Sequence, residues 1–118
     1  MFIPLSSIKE VQEHSQQETI IIFKHSSACP ISAAAYHRLE KGVHEKTLAM
    51  PIYLVVVQDN RTVSNDIAKV LDVKHESPQC IIVENGEVIL VLNHHRITVD
   101  NIQNGTPTGD QNLVCPVA

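Results

Sequence analysis

The chain has 118 residues, 43% of them hydrophobic and 19% charged, which suits one domain with one core (residues 1–118) and excludes disorder and collagen-like repeats. A formal net charge of −4, with nine scattered Lys and Arg, argues against a nucleic-acid partner, which calls for a basic patch facing phosphates. No apolar run nears the roughly 18 residues of a membrane span, and polar residues follow Met1-Phe2-Ile3-Pro4, so neither a membrane partner nor a leader is expected and the location reads as cytoplasmic.

In chain order, Ser7-Ile8-Lys9-Glu10 has capping-box spacing, and the polar and apolar residues through Gln17 predict a short amphipathic helix. Thr19-Ile20-Ile21-Ile22-Phe23 is a continuous β-branched and aromatic run, the pattern of a strand buried on both faces. It leads through Lys24-His25-Ser26-Ser27-Ala28 to Cys29-Pro30-Ile31-Ser32, where Pro30 suits the first position of a helix. High helix propensity from Ser32 onward predicts that this helix ends at Gly42 or continues to about Thr47.

A second buried strand is predicted at Pro51–Val57, and a helix from Thr62 to Leu71 with Val63, Ile67, Val70 and Leu71 on one face. That alternation implies parallel pairing through right-handed crossovers. Val73-Lys74-His75-Glu76-Ser77-Pro78-Gln79 reads as a polar loop whose proline, with a cis bond available to it, stands at the mouth of strand Cys80–Val83. Asn85-Gly86 signals a hairpin to Val88–Leu92, which makes the last two strands antiparallel. A short helix is expected over Ile97–Ile102, and residues from about 105 to 118 read as a mobile tail.

The most informative residue is Cys29. A thiol at a helix N-terminus meets unpaired N–H groups and the positive end of the macrodipole, which favour the thiolate needed for disulfide exchange. A buried, inert cysteine is the alternative. Ser32 stands where the second cysteine of a C-x-x-C pair would be, so exchange through one sulfur is expected; its hydroxyl could donate to the thiolate or be only a small helix residue.

Cys80 keeps a two-cysteine scheme open, since it follows Pro78 by two residues. Strand alternation equally places it in the core, the preferred reading. Cys115 in the tail reads as exposed and incidental, with resolution or crosslinking as a minor option. His25 and His75 could flank and tune the thiol, although solvated loop histidines are commoner. His94-His95, with His75 and Cys29, lacks the compact ligand spacing of a metal site, so no metal and no bound cofactor are expected. Glu76 and Ser77 would shape the loop, and the Ser77 and Gln79 backbones could pair with an extended client or a peptide-like arm.

The element order, with Cys29-Pro30 after the first buried strand and Ser77-Pro78-Gln79 before the third, resembles the thioredoxin fold: an α/β chain with a central mixed sheet of about four strands and flanking helices. Lys24-His25-Ser26 leading into Cys29-Pro30-Ile31-Ser32, followed by Val73-Lys74-His75-Glu76-Ser77-Pro78-Gln79, is similar to the monothiol bacilliredoxin (YtxJ-like) family. The resemblance implies a stress-related oxidoreductase that removes bacillithiol from S-bacillithiolated client proteins, with bacillithiol as co-substrate and a recycling reductase as a further partner. It also implies that Cys29 is the nucleophile, that Pro78 is a cis-proline packed beside it, and that Pro30, Ser77 and Gln79 border the substrate. A two-cysteine oxidoreductase using Cys29 and Cys80, and a non-catalytic thioredoxin-like binding module, are the alternatives.

Overall fold

The computed structural model describes residues 2–105; the predicted tail and Cys115 lie outside them. Strand β1 (Phe2–Pro4) leads to helix α1 (Ile8–Ser15), β2 (Ile20–His25), α2 (Pro30–His44), β3 (Ile52–Val56) and α3 (Arg61–Leu71). The hairpin β4 (Gln79–Glu84) and β5 (Glu87–Asn93), a 3-10 turn (His94–Arg96) and α4 (Val99–Asn104) complete the chain. The sheet runs β1-β3-β2-β4-β5, with β3 parallel to both β1 and β2, and β4 antiparallel to β2 and β5. It therefore has five strands where about four are expected. The extra one is the three-residue edge strand β1, too short to show an alternation and closed by Pro4.

Alternation along the central strands divides the core in two. Ile21 and Phe23 of β2, with Cys80 and Ile82 of β4, face Ala35 and Leu39 of α2 and Ile102 of α4. Ile20, Ile22, Ile81 and Val83 face Val11 of α1 and Val63 and Ile67 of α3. The predicted capping box is present, with Ser7 as N-cap and the Glu10 carboxylate accepting from the Ser6 and Ser7 N–H groups at 2.7 and 3.1 Å. Asn85 and Gly86 both have positive φ, 52° and 78°, as a two-residue primed turn requires. No helix among the described residues is long and apolar enough to cross a membrane.

Candidate active site at the end of β2

Strand β2 enters the site with adjacent side chains on opposite faces. Phe23 and His25 lie on the α2 side, where the His25 ring sits 5.7 Å from Phe23 and 5.0 Å from Tyr36 between centroids. Lys24 lies on the other side with no exposed surface. The chain then turns through residues 26–28, which the amide of Gln58 clamps: its Nε2 donates to Ser26 Oγ at 2.7 Å and its Oε1 accepts from Ser27 N–H at 3.1 Å.

Cys29 is the N-cap of α2, with extended backbone (φ −118°, ψ 124°) and 5% of its surface exposed. Its carbonyl accepts from Ala33 N–H at 3.0 Å, and Pro30 occupies the first turn, where a missing N–H costs nothing. The helix passes through Gly42 to His44, and α4 and Leu48 come close to it at Gly42. A Cβ there would lie 2.7 Å from Val99 Cγ2 of α4 and 3.1 Å from Leu48 Cδ1. Ser32 is fully buried at N3 of the helix. Its Oγ accepts from Ser26 N–H at 2.9 Å and lies 2.7 Å from His25 Nδ1.

The second wall is the loop before β4. The Ser77–Pro78 bond is cis, and the Pro78 carbonyl accepts from His94 N–H at 3.0 Å. Ser77 is buried, with its Oγ unpartnered among the described residues. Gln79 points inward, where its Nε2 donates to the Lys74 carbonyl at 2.9 Å and to Asn93 Oδ1 at 3.0 Å. Its side chain thus ties the loop to β5, while its backbone sits in the sheet between Lys24 and Asn93.

Two buried groups brace this loop. Lys24 Nζ donates to the Ser64 carbonyl at 2.9 Å and to His75 Nδ1 at 3.2 Å. An ammonium only donates, so the His75 proton belongs on Nε2. Burial lowers the pKa of Lys24 to about 8. Burial, then the Lys24 charge, pushes the His75 pKa down. On the other side His94, 2% exposed and in a left-handed conformation (φ 53°), has Nε2 3.4 Å from Glu76 Oε1. Neither ring nitrogen makes a hydrogen bond among the described residues. Although 3.4 Å is ion-pair range, the missing alignment and the downward push of burial on its pKa favour a neutral imidazole near pH 7.

Cys80 is a free thiol, wholly enclosed opposite Phe23 in the β2–β4 register, and burial drives its pKa strongly up. The structure thus brings Cys29, Pro30, Ser32, Ser77 and Pro78 to one end of the sheet, and places Cys80 in the core between the sheet and α2. Sequence reasoning gave Lys24 and Gln58 no role of their own. A lysine directly continuing a buried run of Ile and Phe was the available signal for the first; Gln58, in a loop after β3, offered none.

Comparison with known proteins bears on this arrangement. One solved structure, described as an inferred oxidoreductase with a thioredoxin fold, is 37% identical, with a TM-score of 0.78, covering 88% of this chain and 92% of its own. The reduced thioredoxin pre-protein of Schistosoma mansoni (15% identity, TM-score 0.64, coverage 87% and 92%) is similar in fold. So is oxidized mitochondrial thioredoxin 3 of Saccharomyces cerevisiae (17% identity, TM-score 0.67, coverage 88% and 92%). A family model described as monothiol bacilliredoxin BrxC matches residues 4–102.

Proposed function

Since the chain belongs to the monothiol bacilliredoxin family, a thioredoxin-fold group of thiol oxidoreductases, we propose that it removes bacillithiol from S-bacillithiolated proteins through Cys29. The observation that carries this reading is the placement of one cysteine at the N-cap of α2 with a serine, in place of a second thiol, at N3. The Cys29 thiolate attacks the bacillithiol sulfur of the client's mixed disulfide. The S–S electron pair leaves with the client sulfur, and Cys29 retains bacillithiol in a new disulfide. A second bacillithiol thiolate, or a reductase thiol, then attacks that bond and returns Cys29 as a thiolate.

In this cycle Pro30 and Pro78 form apolar walls beside the sulfur, and the Ser77 backbone presents polar groups to the peptide-like part of the adduct. Gln79 contributes by holding the loop. Buried Cys80, its thiol disfavoured as a thiolate, gives the two-cysteine scheme no support. A reducing cytoplasm with a pool of the small thiol is the setting this cycle needs. The test is incubation of a bacillithiolated model protein with wild type and with Cys29→Ala. Release by the wild type and a loss of at least about a hundredfold in the variant are expected, on the scale of removing an activated nucleophile; equal release would sink the reading.

A further inference from the structure

Ser32 poses a proton-counting problem. Its oxygen already accepts from Ser26 N–H at 2.9 Å, and its single hydroxyl proton can serve only one acceptor. His25 Nδ1, 2.7 Å away, decides which. If the imidazole proton is on Nε2, Nδ1 takes the Ser32 proton and nothing remains for Cys29. If it is on Nδ1, Ser32 Oγ accepts from both Ser26 and His25, and its proton is free. The N3 side chain of a helix turns back toward the N-cap residue, which here is Cys29.

We propose that His25 is a positioning residue for exchange at Cys29: its Nδ1–H donates to Ser32 Oγ and thereby turns the Ser32 hydroxyl onto the Cys29 thiolate. The inference rests on the reading of Cys29 as the exchanging thiol. As the thiol ionises, its proton passes to Ser32 Oγ while the hydroxyl proton of Ser32 passes to His25 Nδ1, and the Nε2 proton leaves to water. The S–H electron pair stays on sulfur, and the imidazole begins and ends neutral, in keeping with the lowering of its pKa by burial.

An exit for that proton exists. His25, Ala33, Tyr36 and His37 line a cleft of about 180 Å³. Tyr36 and His37 of α2 are the titratable groups sharing it. Phe23 faces His25 from β2, and the register partner of His25 on β3 is Val56. Lys24 and His75 pair on the opposite side of the sheet.

The pH dependence of iodoacetamide alkylation, followed by mass on the Cys29 peptide of the fully reduced chain, tests this without bacillithiol. In the wild type the midpoint is expected below the free-thiol value of about 8.5. Ser32→Ala and His25→Phe should each raise it by about one unit, a roughly tenfold loss of alkylation rate at pH 7. The double variant should be no worse than either single one. His25→Asn, whose amide can donate to Ser32 Oγ, should restore most of the shift, and thermal melting identifies any variant that merely unfolds. Unchanged midpoints in folded Ser32→Ala and His25→Phe, a midpoint in His25→Asn as high as in His25→Phe, or additive shifts in the double variant, would overturn the proposal. Failure of bacillithiol release with these shifts intact would count against the substrate and not against His25.

Discussion

Lys24 is an ammonium with no exposed surface, held by one carbonyl and one imidazole. Its pKa of about 8 lies below the ordinary 10.5, so between these values the unfolded chain binds more protons than the folded one. Stability should therefore rise with pH through that window, and the burial cost, about 3 kcal/mol at full protonation, should be fully felt below pH 8. Lys24→Met should abolish the rise. Urea unfolding at pH 7.5 and 10 checks this: the midpoint of the wild type should increase relative to the variant's. The same substitution removes the donor to His75 Nδ1 and the side-chain donor to the Ser64 carbonyl, so slower exchange should accompany it.

At the scale of elements, α2 sets the site because it carries Cys29 at one end and packs on α4 through Gly42 near the other. Alanine is the better helix former by about 1 kcal/mol, but a Cβ 2.7 Å from Val99 Cγ2 meets overpacking of about 1–3 kcal/mol. Gly42→Ala should thus be destabilising on balance, by up to about 2 kcal/mol in denaturant unfolding. This close approach explains why the helix end was ambiguous in sequence. Local propensity says that glycine breaks a helix, whereas here tertiary contact requires its small size.

The buried strands, the Ser7 cap, the Asn85-Gly86 turn and the Cys29-Pro30 junction were legible because each follows from local chemistry. Strand β1 was not, since its pairing to β3 is long-range. The 3-10 turn at His94–Arg96 gave no periodic signal. At the site, Cys29 and Pro78 could be read from their neighbours in sequence. The links from Lys24 to His75 and from His25 to Ser32 exist only once the strands and helices have been brought together.

For the whole molecule, three buried or half-buried imidazoles act in the same direction. Burial lowers the pKa values of His25, His75 and His94 from 6.5. The stability this reflects is complete above the unfolded value and is lost as pH falls below 6.5 through the folded values. The urea midpoint should decline from pH 7 to pH 5, before most carboxylates titrate, and His75→Gln should flatten part of that decline. Two of these groups adjoin the proline loop, so acid should loosen the site along with the core.

The strand order leaves β1 and β5 as the two outer edges of the sheet. The first is three residues long and ends in proline, a poor template for a neighbour, while β5 is seven residues long and exposes 55% of Ile89. The two ends of the sheet therefore differ in colloidal behaviour. As protein concentration rises, the first chain-to-chain encounters should zip along β5, and Ile89→Lys should raise the solubility limit, measured by light scattering, while exchange at the distant sulfur proceeds at the wild-type rate.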